Sequence, residues 1–145
     1  MPDAQRDIYK VVHQAARVAL EANAEIRTLQ VLEHLLRLRQ AACHPQLLPG
    51  DQPPISGKMT LLSNKLREVV EKGHKALVFS QWTGFLDLIS DQLATNDIPH
   101  IRLDGATKDR SGAVSEFQSA DGPPVFLISL KAGGTGLNLT AADYV

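Results

Sequence analysis

Apolar residues recur along this chain at two different periods, and the change between them divides it. Over residues 4–22, Ile8, Val11, Val12, Ala15, Val18, Ala19 and Ala22 recur at helical spacing, predicting an amphipathic helix with a narrow apolar stripe. Glu21-Ala22-Asn23-Ala24 breaks it. A second helix is predicted from about Ala24 to Ala42. Ile26, Leu29, Leu32, Leu35, Leu36 and Leu38 form its broad apolar face, and Arg27, Glu33, Arg37 and Arg39 its polar side. Cys43-His44-Pro45 ends it, because the residue before a proline is pushed out of the helical region. Residues 45–56 are a Pro-rich loop. Ser56 then suits the N-cap of a helix from Gly57 to about Glu71, with Met59, Leu62, Leu66, Val69 and Val70 on its apolar face and Gly73 closing it.

From Ala76 onward short apolar runs replace the helical period. Ala76-Leu77-Val78-Phe79-Ser80 suits a buried strand, followed by a helix carrying Phe85, Leu86, Leu88, Ile89 and Leu93. Pro99 to Gly105 reads as a second strand and turn. Thr107-Lys108-Asp109-Arg110 opens another helix with Val114 and Phe117. Val125 to Leu130 is the third strand, its unbroken apolar run typical of burial on both faces of a parallel sheet. The βαβα order predicts an α/β fold: a parallel sheet with helices on both faces, preceded by a helical lead-in over 1–56, the α/β part spanning 57–145. Asp143-Tyr144-Val145 looks like the start of a further strand, so the chain reads as a piece of a longer protein.

Composition narrows the function classes. The 145 residues are 43% hydrophobic and 21% charged, ordinary values for a globular chain. A net charge of -1 does not indicate a strongly basic, autonomous nucleic-acid binder, although a local basic surface is compatible with it. The single Cys43 excludes an internal disulfide framework and fits a reducing, cytosolic setting. No apolar run approaches the roughly 20 residues a membrane helix needs. Cys43-His44 lacks the paired ligand spacing of a zinc site and reads as a buried thiol beside a helix-terminal histidine.

The candidate chemistry lies where each strand ends. Ser80-Gln81-Trp82, Asp104-Gly105-Ala106-Thr107 and Lys131-Ala132-Gly133-Gly134 follow the three strands and converge on one edge of a parallel sheet. Such loops suit a shallow phosphate-binding surface. Each also has a plain reading: Ser80-Gln81 as a helix cap, Trp82 as a packing anchor, Asp104-Gly105 as a turn, Lys131 as a solvated charge. The stretch Gly133-Gly134-Thr135-Gly136-Leu137-Asn138-Leu139 is harder to explain structurally, because glycine costs order and needs a reason. Gly57-Lys58 is not a P-loop: Gln52 stands where the first glycine belongs and Met59 where the hydroxyl belongs. Gly134-Thr135-Gly136 is a poor dinucleotide fingerprint, with Leu139 in the third glycine's place.

Taken in order, Leu38 to Pro45, Ser56-Gly57-Lys58, Lys75 to Trp82, Arg102 to Thr107 and Ile128 to Leu139 resemble the Swi/Snf family of helicase-related ATPases. The resemblance begins at about residue 28, has a bacterial flavour, and is to the second, C-terminal RecA-like lobe of that motor, truncated before its last motif. Ala106 departs from the family's usual serine. The resemblance implies an ATP-driven translocase on double-stranded DNA, using ATP and Mg2+, with the magnesium held by a first lobe outside this chain. It implies DNA contacts from Ser80, Gln81, Trp82, Gly105, Thr107, Lys131, Ala132 and Gly133. It implies nucleotide contacts from Gly134, Thr135, Gly136 and Asn138, and no catalytic or metal-binding residue within the chain. The implied partners are duplex DNA, the N-terminal lobe, and an unidentified protein such as RNA polymerase or another DNA-bound complex. A non-motor interaction module and a dinucleotide-binding domain are the alternative readings.

Overall fold

The computed structural model describes residues 1–22, 28–133 and 136–145. The chain divides into two compact units, Met1–Leu61 and Leu62–Val145. No helix among the described residues is long and apolar enough to cross a membrane.

In the first unit, helices α1 (Asp3–Ala22) and α2 (Thr28–Cys43) lie against each other. The seam on α2 is Val31, His34, Leu38 and Ala41, half-buried or buried at coiled-coil spacing. The broad leucine face expected there is therefore not the buried one: Leu29 is 76% exposed and Leu32 55%. A helix pair can cover only one stripe of each member, and the stripe chosen here is the neighbouring one. On α1, Ala16 is buried and Val12 half-buried, whereas Val11 and Val18 face solvent. Ala24, Ile26 and Arg27, assigned to the second helix from the sequence, lie outside the described residues.

Polar side chains stitch this unit together. The buried Gln5 amide donates to Ala41 O at 3.0 Å and accepts from Gly57 N–H at 3.0 Å. After α2, a 3-10 turn at Pro45–Leu47 is capped by His44, whose Nδ1 accepts from Gln46 N–H at 3.2 Å. Helix α3 (Gly57–Glu71) starts at the expected cap: Ser56 donates to Cys43 O at 2.7 Å and accepts from Met59 N–H at 3.4 Å. The helix stops at Gly73, which takes φ 74°, while His74 N–H reaches back to Val69 O at 3.1 Å.

The second unit is built on a three-stranded parallel sheet in the order β1 (Ala76–Ser80), β3 (Val125–Ser129), β2 (His100–Leu103). Helix α4 (Thr83–Thr95) joins β1 to β2, and α5 (Arg110–Gln118) joins β2 to β3. The first connection steps across the sheet in one direction and the second steps back. Right-handed crossovers therefore put the two helices on opposite faces. Helix α4 buries Phe85, Leu86, Ile89 and Leu93 and packs on β1 and β3. On the α5 face, Leu77, Leu103, Phe126 and Ile128 meet Phe117, whose ring centroid lies 5.2 Å from that of Phe126. All five residues of β3 are buried, the expected signature of a central strand.

Two boundaries differ from expectation. Strand β3 ends at Ser129, and Leu130 opens a short helical turn, α6 (Leu130–Gly133). The Ser129 hydroxyl accepts from Ala132 N–H at 3.3 Å and caps this turn. Helix α5 starts at Arg110 rather than Thr107, because the Asp109 carboxylate accepts from Gly112 N–H at 2.8 Å and fixes the cap there. At the far end, Tyr144 forms a parallel bridge with Ala76, and Leu77 N–H donates to Tyr144 O at 2.9 Å. The strand start read at Asp143 is thus laid along the outer side of β1.

Burial pushes the His44 pKa below its ordinary value of 6.5. The cap also requires an unprotonated Nδ1. Above about pH 6.5 the ring is neutral in folded and unfolded chains and its contribution is complete. Below that pH the unfolded chain takes up the proton first, so stability falls until the folded pKa is passed. We expect unfolding free energy of the chain to drop as pH is lowered from about 6.5, and His44→Asn, which keeps a capping acceptor, to flatten that part of the profile. Denaturant titrations at several pH values check this; identical profiles for the two proteins would contradict it.

Candidate nucleic-acid interface

The register of the sheet decides what shares its carboxyl edge. Ser80 lies level with Ser129, and Leu103 with Ile128. The segments leaving β1, β2 and β3 therefore emerge side by side. They are Gln81-Trp82, Asp104 to Thr107 and α6, and this is the convergence expected from the sequence.

Within the first segment, the Ser80 hydroxyl is turned inward. It accepts from Trp82 N–H at 3.0 Å and donates to Trp82 O at 3.2 Å. Trp82, half-buried, is the residue before α4, and its carbonyl accepts from Phe85 and Leu86 N–H. Ser80 thus shapes the turn and Trp82 opens the helix, while Gln81 is exposed.

The second segment is a tight Asx turn. Asp104 accepts from Ala106 N–H at 2.8 Å, and Asp104 N–H donates to Thr107 Oγ1 at 3.0 Å. The turn uses the backbone at position 106, so alanine in place of serine leaves it intact. Gly105 is exposed, and Thr107 is half-buried with its hydroxyl engaged. The Ala106 N–H bond, working against burial and aided by Arg102, holds the Asp104 carboxyl below the usual range.

In the third segment Lys131 is exposed and Ala132 is 1% exposed, part of the apolar core. The whole residue is buried, backbone included, and its N–H is taken up by the Ser129 hydroxyl. Gly133 is small for packing reasons: a Cβ there would stand 3.1 Å from both Ile128 Cγ2 and Phe79 Cε1. Gly134 and Thr135 lie outside the described residues. Beyond them Gly136 takes φ 48° and the chain runs back over the α5 face as an irregular strap that ends in a turn, where Ala142 N–H donates to Leu139 O at 3.2 Å. Leu137, Leu139 and Ala141 pack onto the core, and Asn138 and Thr140 face outward.

Two features of the site were not read from the sequence. Arg102, on β2, bonds both Asp104 and Asp87. Burial costs the guanidinium, but these carboxylates outweigh that and raise its pKa. A lone charge between Ile101 and Leu103 was the available signal, since a half-buried charge needs a partner. Gln118, at the end of α5, donates to Asn138 O and Thr140 Oγ1 at 3.2 Å each and accepts from Ala141 N–H at 2.7 Å. Nothing in its local pattern announced that role.

Comparisons with known proteins identify the architecture. The family model described as the helicase conserved C-terminal domain matches residues 57–145. The chain belongs to this helicase C-terminal domain family. Its parallel sheet and flanking helices match the RecA-like C-terminal lobe of SWI2/SNF2 ATPases. The Sulfolobus solfataricus SWI2/SNF2 ATPase C-terminal domain aligns at a TM-score of 0.84 with 28% identity, covering 98% of this chain and 65% of that one. The same organism's SWI2/SNF2 ATPase core in complex with dsDNA aligns at 0.83 with 28% identity, covering 99% of this chain and 31% of that one. Among curated relatives, the probable ATP-dependent DNA helicase CHR23 of Arabidopsis thaliana is 39% identical across 97% of this chain. The chromodomain-helicase-DNA-binding protein 1-like of Danio rerio is 36% identical across 97%. This helicase lobe spans only 14% and 15% of those two relatives. They are eukaryotic and the structural neighbours archaeal, so the bacterial flavour read from the sequence finds no support in them.

The strap yields a prediction. Gln118→Ala removes the acceptor of Ala141 N–H and both bonds to residues 138 and 140, at about 1 kcal/mol per bond. Hydrogen exchange at the Ala141 amide is expected to accelerate by roughly tenfold, with β3 amides much less affected. Unchanged exchange at Ala141 would show that core packing alone holds the strap.

Proposed function

We propose that this chain is the second lobe of an ATP-driven motor on double-stranded DNA. In this reading the carboxyl-edge segments contact the DNA backbone and the strap forms the far wall of an ATP site closed by a first lobe. The observation that carries it is the level emergence of Gln81-Trp82, Asp104–Thr107 and α6 from one edge. There exposed Lys131 and the glycine backbone can approach phosphates. Ser80, Ala132 and Thr107 act there through the backbone shape they hold, and Gln81, Trp82, Gly105, Lys131 and Gly133 meet DNA.

Gly134, Thr135, Gly136 and Asn138 are proposed to approach nucleotide, and the outward position of Asn138 on the strap suits that role. Magnesium fits this chain poorly. Asp104 and Asp87 at the edge are both taken up by Arg102, and Asp104 also by Ala106 N–H. No cluster of three or more His, Cys, Asp or Glu side chains suited to a metal ion occurs among the described residues. In this reading the metal ligands belong to the first lobe, and no hydrolytic step is assigned to these residues. The dinucleotide-binding alternative is weakened because Leu139, in the third glycine's place, packs onto the core.

Two outcomes follow for the purified chain. It is expected to hydrolyse no ATP, with or without duplex DNA, in a phosphate-release assay. It is also expected to bind duplex weakly in fluorescence anisotropy, with affinity falling steeply as salt rises. Lys131→Ala should lower the slope of log affinity against log salt by about 1. DNA-stimulated hydrolysis by this chain, or tight binding indifferent to salt, would overturn the reading.

A further inference from the structure

Arg102 occupies a place in the sheet edge that its neighbours do not. It stands on β2, on the face covered by α4. Its Nε donates to Asp104 Oδ2 at 2.6 Å, fixing the turn after β2. Its terminal nitrogens donate to Asp87, one turn into α4, and to Thr83 O at 3.4 Å, in the first residue of α4. One planar guanidinium thus holds the segment after β2 and the segment after β1, although β1 and β2 are not neighbours in the sheet. The clamp is partly shielded: the Arg102 side chain is 27% exposed and that of Asp104 13%, against 60% for Asp87.

We infer that Arg102 is a positioning residue that locks the Gln81–Thr83 and Asp104–Thr107 segments into one preorganised surface for the DNA backbone. The inference rests on the functional reading above. Arg102 itself does not touch phosphate in this scheme. Three of its five N–H donors are engaged by two carboxylates and a carbonyl, and the trio of Arg102, Asp87 and Asp104 carries a net charge of -1, which disfavours a phosphate beside it. Its contribution is the ordering of two segments before DNA arrives, so that binding does not have to order them. Only arginine can do this, because its rigid fork reaches three partners at once, whereas a lysine ammonium is a single point on a flexible stem.

The test uses the whole chain, with Arg102→Lys, Asp87→Asn and Lys131→Ala, read by duplex-DNA anisotropy across a salt series and by amide hydrogen exchange. Arg102→Lys conserves charge, yet duplex affinity is expected to fall on the order of five- to tenfold with an unchanged salt slope. Asp87→Asn removes a negative charge from an exposed side chain, so electrostatics alone predicts tighter binding. The clamp predicts weaker binding, and this variant keeps the test open should the arginine variant fail to fold. In both variants amides of the two segments, such as Thr83 and Ala106, are expected to exchange faster together. Parent-like affinity in Arg102→Lys would show that a positive charge there suffices without the three-way fork, and would overturn the inference. So would tighter binding by Asp87→Asn, or loosening of one segment only. If the unaltered chain fails to bind duplex at low salt, the functional reading falls and takes this inference with it. If it binds with a slope that responds to Lys131→Ala while the two clamp variants bind like the parent, only this inference falls.

Discussion

The second unit depends on the complete burial of β3. A strand with no exposed position must be covered on both faces and paired on both edges. Pairing places β1 and β2 on either side of it. Covering places α4 over one face and α5, with the strap, over the other. Because all the pairings are parallel and in register, the strands stop within a residue of one another. The chain is then obliged to leave β1, β2 and β3 along a single edge. A surface assembled from three separate segments is thus a by-product of hiding one apolar strand.

The glycine-rich stretch serves both packing and presentation. Its first part is a capped helical turn that puts Ala132 into the core and Gly133 against Phe79 and Ile128. Its last part is a strap whose leucines face the core and whose Asn138 and Thr140 face outward. Gln118 bonds Asn138 O, Thr140 Oγ1 and Ala141 N–H and so ties the strap to the end of α5. Lys75 closes the other end of the arrangement. Its ammonium caps the C-terminal carbonyls of α5 at Phe117 and Ser119, and its backbone pairs with Asp143 and Tyr144.

Elements governed by local chemistry were legible in advance. Ser56 and Gly73 delimit α3 because a hydroxyl acceptor and a left-handed residue are the local requirements of helix ends. Strand β1 was bounded correctly because its apolar run is short and flanked by polar residues. The misread boundaries have equally local causes that the apolar pattern does not carry. Leu130 prolongs the hydrophobic run of β3, but the Ser129 hydroxyl beside it starts a helical turn. Thr107 and Asp109 are both plausible caps, and the tie broke because the Thr107 hydroxyl is already occupied by the Asx turn. The leucines of α2 defeated prediction differently: their spacing is helical, but spacing cannot say which of two adjacent stripes the partner helix covers.

What the sequence by itself determined is the order of elements, the parallel sheet and the clustering of polar and glycine residues after each strand, since these follow from residue type and short-range spacing. What only the tertiary structure decided is which of those residues face outward and what holds them. Ser80 and Thr107 carry hydroxyls suited to a ligand, yet packing turns both into braces for their own turns. Arg102 and Gln118 looked incidental and became the ties between segments 15 to 23 residues apart. The physical reason is that a side chain's hydrogen-bond partner is set by register and crossover geometry, and no periodicity within a single element encodes either.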